Sequence, residues 1–200
     1  FSLVTGVQTC ALPIFTTNAD GTITVKEELK PAHPIADVTL FPATGYAFDY
    51  WTVDGSKMDY TEKMENLKKE GYTTDTTFTA YFAEDNGGGG DDGNDPDGTP
   101  DKYQIVFRYV SADTTKGIVM GTTFETHTFT DENGNYLEAS TVPTSPKADV
   151  TVAALSGNAF DYWNVQGQDA KDFTETMDTL KAATYTEDTR SEERRVGKEC

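Results

Sequence analysis

Residues 47–51 of this chain, Ala-Phe-Asp-Tyr-Trp, occur a second time without change as residues 159–163. Identical residues continue on both sides of the two blocks at the same displacement of 112 positions, and the second copy gains one residue after Gly167. Duplication over such a length is typical of proteins built from repeated structural units. The chain is therefore predicted to contain two like modules.

Both ends of the chain resemble translated sequencing adapters. Residues 4–14 and 190–200 match strings of that kind, and the second copy breaks off at Thr189, where the second string begins. We leave such strings out of fold reasoning, as one would an expression scar. The two cysteines, Cys10 and Cys200, lie in these strings, so no disulfide or cysteine–metal argument applies to the remainder.

Two modules and a connection between them are predicted inside these ends. Both modules are expected to be truncated, because module 1 has no counterpart of residues 103–110 and module 2 has none of residues 77–82. The connection contains four consecutive glycines and many aspartates without an apolar anchor, which predicts a flexible, self-repelling linker. The predicted segments are residues 1–14 (adapter artefact), 15–85 (module 1), 86–102 (acidic linker), 103–189 (module 2) and 190–200 (adapter artefact).

The chain is strongly acidic, with a formal net charge of −18 at pH 7. Nucleic acids and anionic membranes bind clustered Lys and Arg, so this charge argues against both as partners. We expect no membrane insertion of this fragment, and we expect a monomer. The high content of Thr, Gly and Asp favours a secreted or wall-exposed bacterial protein, located outside the cell or on its surface.

Strands are predicted where β-branched and aromatic residues alternate with period two. Residues 103–110 show this alternation, residues 122–129 show it more weakly, and the two runs are predicted to form a hairpin. The other predicted strands are residues 38–40, 48–53, 77–82 and 150–152.

A short helix is predicted after the Trp-containing strand of each module. Asp59 and Glu62 have the spacing of a capping box, and Tyr60, Met64 and Leu67 follow at positions that share one helix face. Several strands with one helix of about three turns make each module an α+β fold with a mixed sheet. Module 2 repeats the pattern with Asp172, Phe173, Glu175, Met177 and Leu180.

Residues 45–51 (Gly-Tyr-Ala-Phe-Asp-Tyr-Trp), followed by Gly55 and closed by residues 78–82 (Phe-Thr-Ala-Tyr-Phe), resemble the Listeria-Bacteroides repeat, the internalin-B-type B repeat. The resemblance covers most of module 1 and the matched part of module 2. It implies a compact β-grasp-like fold in surface-exposed bacterial proteins, commonly repeated in stalks between a functional head and the cell envelope. The chain departs from the family in its longer segment after Gly55 and in ending on Tyr and Phe where the family often has Trp.

The alternation of side chains along a strand predicts which face of the sheet each aromatic residue of the repeated block occupies. Trp51 and Trp163, each with a Phe three residues before it, are predicted to anchor the two cores, and a sugar-stacking platform is the alternative. Tyr50 and Tyr162 are expected on the opposite face. They are the candidate ligand-binding residues, with a host protein, an envelope protein or a glycan as the partner.

A calcium site is the one cofactor hypothesis that the sequence raises. The linker resembles the Asp-x-Asp-Gly-x-x-Asp loops of extracellular calcium-binding segments, and Ca²⁺ prefers oxygen ligands around a Gly turn. The run lacks a terminal bidentate Glu, so a solvated acidic linker is the alternative. The candidate ligands are Asp92, Asn94, Asp95, Asp97 and Asp101.

The sequence shows no catalytic constellation, so we predict that this chain is not an enzyme. His33 and His127 are expected to be exposed structural residues. The leading hypothesis is a stalk or spacer region of a secreted or wall-attached bacterial surface protein, such as an adhesin. A ligand-binding module of an adhesin and an accessory region of a secreted hydrolase remain as alternatives.

Overall fold

The computed structural model describes residues 4–7, 11–29, 31–165 and 171–197. The chain divides into two compact units, one formed by Phe1–Ala43 with Phe48–Phe82 and the other by Thr44–Ala47 with Ala83–Cys200. Strands form most of the regular structure in both units. In the described part of the chain, no helix is both long enough and apolar enough to span a bilayer.

Module 1 contains a four-stranded sheet and a separate hairpin. The strands are β1 (Val4–Val7), β2 (Ala11–Thr17), β3 (Ile23–Leu29), β4 (Tyr46–Val53), β5 (Ser56–Asp59) and β6 (Thr76–Glu84). The sheet order is β1-β6-β4-β5, and β2 pairs with β3 in the hairpin. The turn from β4 to β5 uses Asp54 and Gly55, which both adopt positive φ, at 47° and 87°. Glycine adopts such values at no steric cost, which explains Gly55 at this tight turn.

The predicted linker contains a short ladder of two strands, β7 (Gly88–Gly89) and β8 (Asp95–Pro96). The segment contacts module 2 through polar groups: Arg108 Nε donates to Asp92 O at 3.2 Å, and Thr126 Oγ1 donates to Gly88 O at 2.8 Å. The segment predicted as a flexible connection thus has hydrogen-bonded contacts with module 2 in the structure. Backbone carbonyls, which composition does not reveal, provide the acceptors that hold the segment in place.

Module 2 is built on a five-stranded mixed sheet. Its strands are β9 (Gln104–Ser111), β10 (Gly117–Gly121), β11 (Phe124–Thr128), β12 (Val150–Ala154), β13 (Asn158–Val165), β14 (Lys171–Asp172) and β15 (Thr189–Gly197). The sheet order is β11-β9-β15-β13-β14, and β10 pairs with β12 in a second, two-stranded sheet. The pairing of β15 with β9 is parallel, whereas β13 pairs with β15 antiparallel.

Each module has a hydrophobic core that includes its tryptophan. Trp51 and Trp163 are both 0% exposed, which confirms the predicted anchors. Residues three positions apart lie on opposite faces of a regular strand, so a Phe and a Trp at that spacing need an interruption to share a core. Strand β13 provides one, because its pairing with β15 skips Asp161, a β-bulge. Phe160 and Trp163 consequently pack together, with ring centroids 6.3 Å apart.

The closing strand occupies the same place in both modules. In module 1, β6 lies beside β4, and in module 2, β15 lies beside β13. Residues 190–197 of β15 belong to the string that resembles an adapter, and they fill the strand position predicted to be vacant. In module 1, the other neighbour of β6 is β1, whose residues also belong to an adapter-like string and which pairs antiparallel.

The prediction of an α+β fold with β-grasp-like modules is wrong, and an all-β fold replaces it. Residues 59–67 form a loop that ends in one 3-10 turn, Leu67–Lys69. The corresponding segment of module 2 ends in a five-residue α-helix, α1 (Asp178–Ala182). Helical structure elsewhere in the described residues is limited to single 3-10 turns, Asp101–Tyr103 and Ala139–Thr141.

A left-handed residue explains why the predicted helices do not form. Met64 has φ of 56° and Met177 has φ of 60°, and a right-handed helix cannot continue through such a residue. The loop nevertheless buries part of the predicted apolar stripe, because Met64 and Leu67 are 2% and 1% exposed. Phe173, the first member of the stripe in module 2, is 69% exposed, so the helical interpretation also misplaced that residue.

Most predicted strands are present, and one predicted strand, residues 38–40, is absent from the structure. Residues 38–40 form no strand, although their counterpart in module 2 lies in β12 and pairs with β10. Val38 and Leu40 still pack against the core of module 1. Strands β9 and β11 pair antiparallel as expected, but β10 lies between them in the chain, so they do not form a simple hairpin.

Candidate functional site

In each module a buried carboxylate holds the loop that begins at the end of a short strand, β5 in module 1 and β14 in module 2. We name this loop the clasp loop (residues 59–67 in module 1 and 172–180 in module 2). Asp59 is 0% exposed. Its Oδ1 accepts from Thr61 N at 3.0 Å and from Thr61 Oγ1 at 2.9 Å, and its Oδ2 accepts from Asn66 N at 3.2 Å. Trp51 Nε1 donates to Glu62 O at 3.3 Å, which ties the loop to the core. Asp59, which the sequence predicted as a helix cap, therefore does accept hydrogen bonds from backbone N–H groups. These hydrogen bonds close a loop and do not begin a helix.

The clasp loop of module 2 repeats this arrangement. Asp172 accepts from Thr174 N at 3.0 Å, Thr179 N at 2.7 Å and Leu180 N at 3.4 Å. Trp163 Nε1 donates to the carbonyl of Glu175 at 3.4 Å. Burial by itself raises the pKa of Asp172, but the donated hydrogen bonds outweigh burial and hold that pKa below its ordinary value.

Three tyrosines and a lysine meet on the outer side of the module 1 sheet. Trp51 points inward, so its neighbour Tyr50 points outward, and Tyr81 points outward from the adjacent strand β6. Tyr50 and Tyr81 stack with their centroids 5.0 Å apart. Tyr60, positioned by the clasp loop, lies 6.4 Å from Tyr50. We name this group, with Lys57, the aromatic face.

Lys57 completes the aromatic face as a cation above two rings. Its Nζ lies 4.0 Å from the ring centroid of Tyr50 and 4.6 Å from that of Tyr60, a cation–π arrangement. Tyr81 is 43% exposed, so part of the face is open to solvent. Aromatic rings can pack against the apolar part of a ligand, while their hydroxyl groups and a nearby ammonium group donate hydrogen bonds to its polar atoms. The arrangement is therefore suited to binding.

The corresponding face of module 2 keeps the strand tyrosine, Tyr162, but has Phe173 and Arg194 where module 1 has Tyr60 and Tyr81. Tyr162 and Phe173 keep the contact between strand and clasp loop, with centroids 5.8 Å apart. Arg194 is paired with Tyr162 in the sheet, where module 1 has Tyr81. The two candidate ligand-binding tyrosines therefore lie in different surroundings, and the stack of two strand tyrosines is found in module 1.

Sequence reasoning selected Tyr50 but missed Tyr60, Tyr81 and Lys57. Tyr60 was assigned to the buried face of a helix, and it is half-buried in the loop instead. The alternation of residues 77–82 places Tyr81 opposite to Phe78 and Ala80, so a signal for it was present. The position of Lys57 depends on the bulged pairing between β4 and β5, which the sequence does not reveal.

The predicted calcium ligands lie in the linker segment, where several of their oxygens accept internal hydrogen bonds. Asp97 Oδ1 accepts from Thr99 N at 2.8 Å, and its Oδ2 accepts from Gln104 Nε2 at 2.8 Å. Asp101 accepts from Asn86 N at 3.0 Å and from Gly87 N at 3.1 Å. These carboxylates are oriented toward N–H groups of the protein.

The remaining predicted ligands are at or near the two-stranded ladder. Asp95 lies in β8, and Asp92 Oδ1 accepts from Asn94 N at 3.0 Å. The hydrogen bonds from Asn94 lower the pKa of Asp92. Within the described ranges, no three His, Cys, Asp or Glu side chains converge in a geometry suited to a metal ion. The calcium hypothesis stays a prediction.

A buried acidic network in module 2 is absent from the sequence predictions. Glu125 accepts from the Tyr109 hydroxyl, from Ala148 N at 3.1 Å and from Lys147 N at 2.8 Å. His127 Nε2 lies 3.1 Å from Glu125 Oε2, and both side chains are mostly buried, so His127 is less exposed than expected. Burial raises the pKa of Glu125, but the hydrogen bonds that the carboxylate accepts lower it overall. The network fixes residues 147–148 against β11, which is a structural role.

Comparison with known proteins gives one family. The family model described as the divergent InlB B-repeat domain matches residues 14–86. Searches of curated proteins and of solved structures find no match. The family is a non-enzymatic repeat type, typical of bacterial proteins that are secreted or lie on the cell surface.

The match confirms the resemblance that was drawn from the Gly-aromatic start, the Phe-x-x-Trp core and the closing strand. These features correspond in the structure to β4, the Trp51 core and β6. Residues 14–86 of this chain are therefore similar to the divergent InlB B-repeat domain, a repeat unit found in bacterial surface proteins.

Proposed function

We propose that the chain is a spacer region of a secreted or wall-attached bacterial surface protein, in which repeated modules separate a functional head from the envelope. The observation that carries this proposal is the repetition of structural detail. Asp59 and Asp172 hold equivalent loops, and each module buries its tryptophan at 0% exposure. A unit whose fold is preserved through duplication suits a role that depends on the number of units.

The surface chemistry supports the same proposal. A net charge of −18 keeps the chain soluble and repels anionic polymers and membranes. Ion pairs recur at equivalent exposed positions of the two modules, Lys68 with Asp37 and Lys181 with Asp149. Their recurrence is a further detail that the two modules share.

The spacer proposal is tested by a binding screen of the purified full chain. We expect no saturable binding on an array of glycans and extracellular matrix proteins. Tight, saturable binding to one component, lost when one module is altered, would contradict the spacer role. Force spectroscopy provides a positive test, because a spacer of two like modules should unfold in two events of similar length.

The aromatic face favours a second candidate function, ligand binding by an adhesin module. The stack of Tyr50 on Tyr81 at 5.0 Å, with Lys57 above Tyr50 at 4.0 Å, concentrates ring surface and a cation on the exterior. A glycan or a protein of the host or the envelope would be the partner. Aromatic side chains provide large contact areas at low cost in conformational entropy, which suits recognition.

Two matched variants separate the candidates. If the aromatic face binds a ligand, Tyr50→Ala should abolish the array signal, whereas Tyr162→Ala should leave it unchanged because Arg194 replaces the second strand tyrosine there. Fluorescence of the buried tryptophans reports whether each variant is folded. An equal response of both variants would exclude the aromatic face as the binding site.

A further inference from the structure

Two aspartates close the segment between β6 and β9 into a loop at its base. Asp85, which is 2% exposed, accepts from Asp97 N at 3.1 Å and from Gly98 N at 2.9 Å. Asp101, at the other end, accepts from the N–H groups of the two residues that follow Asp85. Each end of the segment therefore holds the backbone of the other. We name residues 86–101 the linker loop.

The linker loop lies on the outer face of β9 and β11. Alternate residues of β9 belong to the core of module 2, so Val106 and Arg108 face the other way. Gly93 is buried on this outer face, where a Cβ atom would lie 2.9 Å from Phe124 Cδ2 and 3.0 Å from Val106 Cγ1. Glycine, which has no Cβ atom, allows this close approach. The Arg108 guanidinium donates to the carbonyls of Asp92 and Gly93, so the sheet holds the loop as well as its base does.

The contacts that hold the linker loop are fewer than those that hold either module. The ladder inside the loop consists of the two-residue strands β7 and β8. The main sheets of the modules have four and five strands, and each module buries a tryptophan at 0% exposure. Segments with few buried apolar contacts open at a lower free energy than the core of a domain. The loop lies in series between β6 and β9, so its base bears the load when the two ends of the chain are pulled apart.

We propose that the linker loop is a store of chain length that opens under tension before either module unfolds. The proposal rests on the spacer function, since a spacer transmits force between a head and the envelope. Opening breaks the hydrogen bonds of Asp85 and Asp101 and frees residues 86–101. The connection then lengthens by roughly 50 Å, at about 3.3 Å per residue. The spacer yields in this way while both modules stay folded.

Stretching single molecules of the full chain tests the release of the loop. We expect a small, reversible extension of roughly 50 Å, at a lower force than the two large extensions of module unfolding. Asp101→Ala, which removes the acceptor of Asn86 N and Gly87 N, should lower the force of the small extension or abolish it. Asp91→Ala, at an exposed position of the same loop, is the control and should leave the small extension unchanged.

The extensions separate the length store from the spacer function. Two large extensions with no earlier small one would overturn the length store and leave the spacer function in place. A small extension that Asp101→Ala does not alter would also overturn it, because the base of the loop would then bear no load. Absence of two like large extensions would contradict the spacer function instead.

Hydrogen–deuterium exchange of the full chain measures closure of the loop without force. The N–H groups bound to Asp101 should exchange at least roughly tenfold more slowly than in Asp101→Ala. Gly93→Ala should speed exchange throughout the loop, because the added methyl group has no room against the sheet. Gly98→Ala is the matched control, since Gly98 also has positive φ, 91° against 74°, but nothing lies within 4 Å of a Cβ atom there. Exchange of the unaltered loop at the rate of an unfolded peptide would overturn the proposal.

Discussion

At the scale of the residue, two buried aspartates hold the clasp loops, one in each module. Asp59 and Asp172 each accept from the hydroxyl and N–H of the Thr two positions later and from N–H groups seven and eight positions later. The sequence identified both as caps because Asp is a strong N–H acceptor at the start of a helix. It did not reveal the distant donors, which are brought close only by the left-handed turn at Met64 or Met177.

Replacing either aspartate tests its role. Asp59→Asn and Asp172→Asn should each reduce the free energy of unfolding by about 1–3 kcal/mol, since an amide cannot accept at both positions and leaves buried N–H groups unpaired. Denaturant unfolding followed by tryptophan fluorescence measures the change. Asp178→Asn, at an exposed position of α1, is the matched control. A loss no larger than that of the control would show that the carboxylate does not hold the loop.

The lowered pKa of Asp172 predicts a pH dependence. A carboxyl whose pKa is lower in the folded state stabilises above its unfolded value, about 3.9, and that stabilisation is lost as the pH falls through the folded pKa. The midpoint of module 2 should therefore decrease below pH ~4, and less steeply in Asp172→Asn. Glu125, whose pKa is also lowered, contributes to the slope in both proteins, so the difference between them isolates Asp172. Identical slopes would contradict the assignment.

At the scale of the element, apolar spacing alone did not distinguish a helix from a loop. Met64 and Leu67 are buried as the stripe predicted, yet the chain reaches them through a loop with Met64 in the left-handed region. Periodicity records which residues face the core, and a tight loop over a sheet can satisfy the same spacing as a helix. Strands such as β6 and β9 were predictable because their alternation matches the pleat directly.

Circular dichroism checks the replacement of the α+β prediction by an all-β fold. The longest α-helix in the described residues is the five-residue α1, so the far-UV spectrum should have the single broad minimum of a β protein. A double minimum that indicates two helices of about three turns would instead support the prediction made from sequence.

At the scale of the whole molecule, the duplication read from the sequence is present in the structure at equivalent positions. The bridge Ala32–Tyr72 in module 1 has its counterpart in Thr144–Tyr185 in module 2. The indole hydrogen bonds and the clasp loops also recur. The repeat and the Trp cores were predictable because identical sequence imposes identical local packing. The linker contacts and the aromatic face were not, because both depend on contacts between segments that carry no shared pattern.

The central claim is that one Phe- and Trp-based core was duplicated, and quenching of tryptophan fluorescence tests it most directly. The chain has two tryptophans, so Trp51→Phe and Trp163→Phe each leave a single reporter. Both remaining indoles are 0% exposed and donate to a backbone carbonyl, so both should emit at short wavelength and resist quenching by acrylamide to a similar degree. Emission and quenching like those of free tryptophan from either indole would contradict the duplicated core.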